Sequence, residues 1–409
     1  MRRDKNMDKK QEIQDEVQLI QDLFDGIDNG DFNNFGETSD KYTFKYLKAI
    51  WDLQTVLDGG KELYKQIYEI AIKCGIRHVQ QKYKTGRKIK VAFLTISAAE
   101  WPAESVYRLL KMNENVEAYL VVGPLIDRSV ENMEDAFEKT ASFFEKRGYD
   151  VRRAYDSKNK KVRLWEEIGK PDIVIHLTHW YKSLPEEYQI ENYPFTILNC
   201  YIPYAMSLAD NAKGTFMINS SNNSMFLNMM WHIYTDTMYH YEGYREYQLL
   251  GGENVVFTGF PKMDFFYNKI ENTSDQLMLM ANWKYPTGCD PKNMKKVIIA
   301  PHHTFLGYGG ILYSTFQWNM YFWIYLAKKY ENQISFIFKP HPNLRTRAIE
   351  AEVFRDAGDY ERYIDLWEKL PNARVSAEES YLEIFATSDG MIMDSNSFLA
   401  EYMLSLIHI

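Results

Sequence analysis

The chain has 409 residues, more than one hydrophobic core ordinarily serves, so two domains are the first expectation. Its 45% hydrophobic and 25% charged residues are the composition of a soluble globular protein, and a net charge of −8 argues against a general nucleic-acid binder, which would present a basic face. Cys74, Cys200 and Cys289 show neither CxxC nor Cys/His spacing, which speaks against a zinc site or a disulfide framework and fits a reducing cytoplasm.

The opening "MRRDKNMDKKQEIQDEV" is charged, lacks an apolar core and does not read as a signal peptide. No run approaches the ~20 apolar residues needed to span a bilayer, so any contact with the inner membrane face is peripheral. Residues 1–86 read as a helical segment. "EIQDEVQLIQDLF" and "GKELYKQIYEIAIKCGIRHVQQKY" carry apolar residues at three-to-four spacing, with a polar loop between them. Trp51, Leu53, Tyr64, Ile67, Ile70 and Ile72 are expected to pack on the neighbouring domain.

From Lys88 the pattern changes. "KIKVAFLTI", "VEAYLVVG", "YDVRRAY", "PDIVIHLT" and "FTILNCYI" read as strands, with "AESVYRLLKM" and "SVENMEDAFEKTASFFEKRG" as helices among them. Residues 222–250 read as helical. A second series follows, with strands "ENVVFTGF", "KKVIIAPHH", "QISFIFKPHP", "NARVS" and "GMIMD". Helices are predicted at "STFQWNMYFWIYLAKKY", "TRAIEAEVFRDA", "ERYIDLWEKL", "SYLEIFATS" and "SFLAEYMLSL". Strands alternating with helices predict parallel βαβ units. The expected class is α/β, with two Rossmann-like domains (87–250 and 251–409) facing a cleft behind the helical segment.

In open parallel sheets, ligands sit beyond the carboxyl ends of the strands, and four polar clusters of the second series fall there. The first is "IIAPHHTFLGYGGILYSTF". His302, His303 and Thr304 follow a strand directly, and Gly307, Gly309 and Gly310 would let backbone N–H groups approach a phosphate. Ser314 and Thr315 are suited to cap the next helix. In the second cluster Pro340 and Pro342 stiffen the backbone around His341, a candidate base or phosphate donor, beside Lys339 and ahead of Arg345 and Arg347. In the third, Asp394, Ser395, Asn396 and Ser397 open a helix whose next turn holds Glu401. The fourth, Gly259, Pro261 and Asp264, reads as a structural turn. Each has a plain alternative: a glycine turn, a strand terminator, a helix cap or a solvated glutamate.

"APHHT…STF", "FKPHP", "FTGFPKMD" and "SDGMIMDSNSFLAEYM", in this order, resemble the CDP-glycerol glycerophosphotransferase family, the teichoic-acid and capsule polymer synthases of GT-B fold. The resemblance covers roughly residues 88–405. It implies a CDP-glycerol or other CDP-alditol donor, transfer of the alditol phosphate to a hydroxyl of a lipid-linked polymer acceptor, and release of CMP. It implies no cofactor and no obligatory metal. By this resemblance His341 contacts donor phosphates, as do Asp394, Ser395 and Ser397, with Glu401 as the acidic residue of the following helix. His303 and His341 are the catalytic candidates. His302, Thr304, Lys339, Arg345, Asp394, Ser395, Asn396, Ser397, Glu401 and Tyr204 are the substrate-binding candidates. Two departures are visible. A His-Gly-Thr motif common in the family is replaced by "LNCYIPYAMSLAD", with Pro203-Tyr204 in its place. Family members also continue for a further strand and several helices beyond "FLAEY", which predicts an incomplete second sheet here.

Two alternatives stay open: a nucleotide-sugar glycosyltransferase or epimerase of the same fold, and a non-catalytic scaffold of a polymer-assembly complex. Neither GxxxxGK[ST] nor GxGxxG occurs, which disfavours a P-loop NTPase and a nicotinamide dehydrogenase.

Overall fold

The computed structural model describes residues 15–23, 25–26, 39–55, 59–127, 129–206, 221–267, 281–305, 312–376, 381–394 and 396–407. The chain divides into two compact units, Met1–Lys262 and Met263–Ile409.

The first unit begins with helices α1 (15–23), α2 (Lys45–Leu53) and α3 (Gly60–Lys84). There follow β1 (Ile89–Thr95), α4 (Glu104–Met112), β2 (Val116–Val122), α5 (Val130–Lys146) and β3 (Val151–Arg153). A small hairpin of β4 (Tyr155–Asp156) and β5 (Lys161–Val162) leads through α6 (Trp165–Ile168) to β6 (Ile173–His176) and β7 (Leu198–Tyr201). The unit closes with α7 (Met225–Asn228), β8 (His232–Thr235), α8 (Met238–Tyr247) and β9 (Val255–Phe257). Its seven-stranded sheet is parallel throughout, in the order β3-β2-β1-β6-β7-β8-β9.

Alternation along the strands sorts side chains between two faces. Ala92, Leu94, Tyr119, Val121 and Val174 lie on one, in a core with Leu47, Ile50, Leu53, Tyr64, Ile67, Ala71 and Cys74 of the N-terminal helices. Val91, Phe93, Leu120, Val122 and Ile175 lie on the other, against Tyr107 of α4 and Phe137, Ala141 and Phe144 of α5. The helical segment is therefore one wall of the first unit. Polar contacts pin it there. Buried Asp172, just ahead of β6, accepts from the Lys90 N–H at 2.9 Å, pairs with His78 Nε2 at 3.1 Å and binds Lys82.

The second unit runs α9 (Asp264–Tyr267), β10 (Lys295–Ala300), α10 (Phe316–Lys329), β11 (Ile334–Phe338), α11 (Leu344–Glu350) and α12 (Ala357–Glu368). It ends with β12 (Ala373–Val375), α13 (Leu382–Thr387), β13 (Gly390–Met393) and α14 (Asn396–Ile407). Its four-stranded parallel sheet has the order β12-β11-β10-β13. One face packs Ile299, Phe336 and Phe338 under Phe316, Trp323, Tyr363 and Trp367; the other packs Ile298, Ala300 and Ile337 under Phe385 and Tyr402. In each sheet the first strand has its two successors on one side; on the other stand four strands in the first sheet and one in the second, the reversal of order of a Rossmann-like unit.

Three expectations are corrected. "ENVVFTGF" does not open the second series: β9 pairs with β8, so the division falls at Lys262. Gly259 beyond it has φ +79°, which glycine takes at no steric cost. Residues 222–250 contain β8, whose four residues are too few to display a period among flanking aromatics. The helix predicted through "TRAIEAEVFRDA" stops at Glu350, and Glu352 turns the chain with φ +57°.

Among the described residues no helix is long and apolar enough to cross a membrane.

Candidate functional site

Parallel register brings the chemistry of the second unit together. Ile299 pairs with Phe338 and Ala300 with Met393, so the next residues of all three strands emerge side by side at the carboxyl edge. They are Pro301-His302-His303 after β10, Lys339-Pro340-His341 after β11, and Asp394 after β13. This is also where strand order reverses, with β11 and β12 on one side of β10 and β13 on the other, the usual ligand position in such sheets.

The three imidazoles form one cluster. The His303 and His341 rings stack with centroids 4.0 Å apart, and His302 lies 4.4 Å from His303 and 5.2 Å from His341. Backbone bonds hold the loops: Lys339 N–H donates to Ile299 O at 2.8 Å, and His341 N–H to Pro301 O at 3.4 Å. His341 Nδ1 accepts from the Asn343 N–H at 3.1 Å, which leaves Nε2 for a ligand. His302 Nδ1 lies 2.9 Å from Thr304 Oγ1, which in turn accepts from Tyr313 N–H at 3.1 Å.

Asp394 is the clasp of the site. One oxygen accepts from the His302 N–H; the other accepts from the Thr315 N–H at 2.7 Å and the Thr315 hydroxyl at 3.2 Å. It therefore fixes the backbone that carries His302 and ties β13 to the start of α10. A carboxylate so engaged repels a phosphate rather than holding it, so the direct phosphate contact expected of Asp394 becomes a positioning role. The cap predicted at Thr315 is corrected for the same reason: it makes no side-chain cap, because its hydroxyl goes to Asp394. Ser314 Oγ accepts from the Phe316 N–H at 3.4 Å, the first N–H of α10, and its hydroxyl donates to His302 O at 2.7 Å.

Crowding sets the protonation of the cluster. Burial, then His303, His302 and Lys339, push His341 down to about 3. Burial, then His302 and Arg347, push His303 to about 4. Burial also lowers His302, against a smaller opposite pull from Asp394. At neutral pH the cluster is thus neutral imidazole framed by the Lys339 and Arg347 cations. It gains protons only if an anion enters. The three rings also offer nitrogens within 4.8 Å of one another, enough to hold a transition-metal ion. The His303 and His341 ring planes lie 30° apart.

The remaining predicted residues divide. Lys339 and Thr304 are buried beside the cluster. Arg345 turns away: it is half exposed and pairs with Glu361 at 3.3 Å, whereas Arg347 is the arginine whose charge reaches His303. Glu401 is 1% exposed and accepts from the Tyr381 hydroxyl, so it is a packed acceptor within the core. Asn396 and Ser397 open α14, while Ser395 and Gly307, Gly309 and Gly310 lie outside the described residues. Tyr204 belongs to the first unit, where it lines a pocket of about 180 Å³. Sequence reasoning left Arg347 and Thr315 out of the site. Arg347 has the only readable signal, because it lies one helical turn after Asn343 and six residues beyond His341.

No protein-family model matches this chain, and no curated protein matches it either. Similar solved structures include a variant of the wall teichoic acid polymerase TagF, 13% identical, covering 84% of this chain and 76% of that one, with a TM-score of 0.44. A UDP-GlcNAc 2-epimerase of Methanocaldococcus jannaschii, solved with UDP-GlcNAc and UDP, is 12% identical and covers 78% and 82% respectively, with a TM-score of 0.41. The S. aureus MnaA–UDP structure is 13% identical over 76% and 75%, with a TM-score of 0.36. At these identities and TM-scores, what the second unit can bind is judged from its own residues.

Proposed function

We propose that the second unit binds the diphosphate of a nucleotide-linked donor, and that the protein transfers an alditol phosphate, glycerol phosphate in the first instance, from a CDP-alditol to a hydroxyl of a polymer or its lipid-linked precursor. CMP is the leaving group. The observation that supports this most is the convergence of His302, His303 and His341 with Lys339 on one strand-order reversal. A diphosphate supplies the negative charge that this crowded group lacks. Imidazole N–H groups and a buried ammonium would offset charge developing on the departing CMP oxygen, the kind of preorganised stabilisation that dominates phosphoryl transfer.

In the reaction the acceptor oxygen, its O–H proton passing to solvent, forms a bond to the β-phosphorus as the bond from that phosphorus to the CMP oxygen breaks. The electron pair leaves on CMP. His341, whose Nδ1 accepts the Asn343 N–H and whose proton therefore sits on Nε2, is placed to donate a hydrogen bond to a bridging or non-bridging oxygen. Thr304 and Asp394 orient His302 and its loop without touching the donor.

Incubating the protein with CDP-glycerol, CDP-ribitol or UDP-GlcNAc and reading CMP or UDP release tests the assignment. CMP from the CDP-alditols is expected, with a ~10²-fold loss of rate in His341→Ala. UDP release alone would move the protein to the nucleotide-sugar enzymes. Stoichiometric zinc in the purified protein, with no CDP binding, would overturn the anion reading altogether.

A further inference from the structure

Helix α10 turns one face to the second sheet and the opposite face to water. Phe316, Met320, Trp323, Ile324 and Ala327 are buried and seat it on the strands. On the other side Trp318, Tyr321, Phe322 and Tyr325 stand 74%, 64%, 53% and 54% exposed. Their spacing of three and four residues sets them along one stripe, in which the Phe322 and Tyr325 rings stack with centroids 6.2 Å apart. We propose that this stripe is the contact between two copies of the chain, with α10 of one copy lying antiparallel on α10 of its partner about a two-fold axis.

Area is the first argument. A buried aromatic side chain covers ~150–250 Å², so the exposed parts of these four leave on the order of 500 Å² of apolar surface in one place. A patch of that size on a monomer marks an interaction site. Two such stripes, with the polar side chains around them, would bury on the order of 1,200–1,600 Å² in all, the size of a stable specific interface. The residue types agree, because Trp, Tyr and Phe are the side chains that anchor protein contacts.

Charge selects the occupant and the orientation. Phe316–Lys329 contains no Asp or Glu, and both of its cations, Lys328 and Lys329, lie in the last turn. The helix has 14 residues and is therefore about 21 Å long. Antiparallel pairing sends the two lysine pairs to opposite ends of the contact, well beyond the ~8 Å screening length, and leaves its middle apolar. Parallel pairing would set four ammonium groups side by side.

The rim points to protein rather than lipid. Helix α12 lies against α10, for the Tyr363 hydroxyl donates to Met320 O at 3.1 Å and the Tyr363 ring meets Tyr321 at 6.0 Å. It exposes Asp365 and Glu368 along with Arg362. Charges of both signs give no cationic field to hold anionic headgroups, whereas an apolar centre with a mixed polar rim is the anatomy of a protein contact. A two-fold pairing uses the same patch on both copies and closes at two. The contact lies wholly within the second unit and does not depend on the transfer reaction.

Sedimentation equilibrium of the full chain at micromolar concentration tests the pairing. Wild type is expected at twice the chain mass of 48.3 kDa, with a dissociation constant that changes less than about threefold between low and high salt. Phe322→Glu and Phe322→Lys, both at an exposed position, should keep the unfolding midpoint of wild type and raise the dissociation constant at least ~100-fold. Mixed in equal amounts they should form dimers again, because the axis passes the middle of the stripe and brings position 322 of each copy near that of the other. A monomeric wild type, or a dimer that Phe322→Glu leaves intact, would overturn the proposal. Variants that stay monomeric when mixed would overturn the two-fold antiparallel geometry. Wild type that floats as a monomer with phosphatidylglycerol vesicles, and loses this in Phe322→Glu, would assign the stripe to a lipid surface instead.

Discussion

The strand order of the first sheet reverses between β1 and β6, and that of the second between β10 and β13. At its carboxyl edge the first unit places Glu100, the Asp236–His240 pair and three tyrosines. At the equivalent edge the second unit places three histidines, Lys339 and Arg347. The same backbone arrangement thus presents a hydroxyl-rich pocket with carboxylates behind it in one unit and a basic cluster in the other. Register decides where side chains meet; the two or three residues after each strand decide what meets.

Two buried or partly buried aspartates extend the contrast and give the largest expected effects. Asp172 lies at the amino end of β6 and holds α3 through Lys82 and His78. Asp172→Ala leaves those groups without their acceptor and removes the partner of the Lys90 N–H. We expect a loss of about 3 kcal/mol in urea unfolding, toward the lower end for a broken buried pair because Lys82 and His78 still reach water. CDP affinity measured by calorimetry should not change. Asp394→Ala should do the reverse in proportion. Its three acceptor bonds are nearer solvent, so unfolding should lose about 2 kcal/mol, while the freed His302 loop weakens CDP binding at least tenfold. Equal CDP affinity in wild type and Asp394→Ala would remove the clasp from the site.

Histidine titration separates the units more finely. His303 and His341 are held at about 4 and about 3, and in the first unit burial holds His176 and His179 at about 4. All four are depressed below the ordinary value near ~6.5, so below that pH the unfolded chain binds more protons than the folded one. Their neutral folded forms therefore leave stability intact above about pH 6.5, and it falls as pH drops toward 4. Denaturation midpoints across that window should show the decline, and His341→Ala should flatten part of it. Saturating CDP should also oppose the decline, because an anion raises the second-unit histidines and leaves His176, bonded to Asn199 at 3.1 Å in the core, unaffected. Calorimetry of CDP binding in buffers of different ionisation enthalpy should report proton uptake at pH 7. Proton release would contradict the proposed contact.

Much of this was readable before the structure. Apolar runs ending in "APHH" and "FKPHP", alternating with amphipathic helices, located the parallel strands and the histidines at their ends, because burial and period are local signals. The roles of Asp394 and Thr315 were not readable. An Asp followed by Ser and Asn at a helix start carries the composition of a cap, and only the pairing of β13 beside β10 turns its oxygens toward the His302 and Thr315 N–H groups. Glu401 was misleading for a similar reason: a glutamate on an apparently amphipathic helix reads as exposed until Tyr381 is found against it. The His240–Asp236 pair sits four residues apart on a strand-to-helix turn, a spacing too common to distinguish among the 56 acidic residues of the chain.

The smallest expected effect discriminates between two neighbouring arginines. Arg345 and Arg347 are two residues apart on α11, and a stretch rich in basic residues after "KPHP" invites either as the phosphate contact. Residues two apart on a helix point in different directions. Arg345 meets Glu361, exposed to water, and such a pair contributes little, so Arg345→Ala should change CDP affinity less than twofold and stability by less than ~0.5 kcal/mol. Arg347 pairs with Glu350 at 2.6 Å yet its charge is felt at His303. Arg347→Ala should weaken CDP binding about threefold to tenfold, more at low salt than at high, because the contribution is electrostatic and partly screened. If Arg345→Ala produced the larger loss, the anion would have to lie on the outer side of α11, away from the stacked histidines, and the basic edge of the second unit would no longer be the counterpart of the hydroxyl-lined pocket in the first.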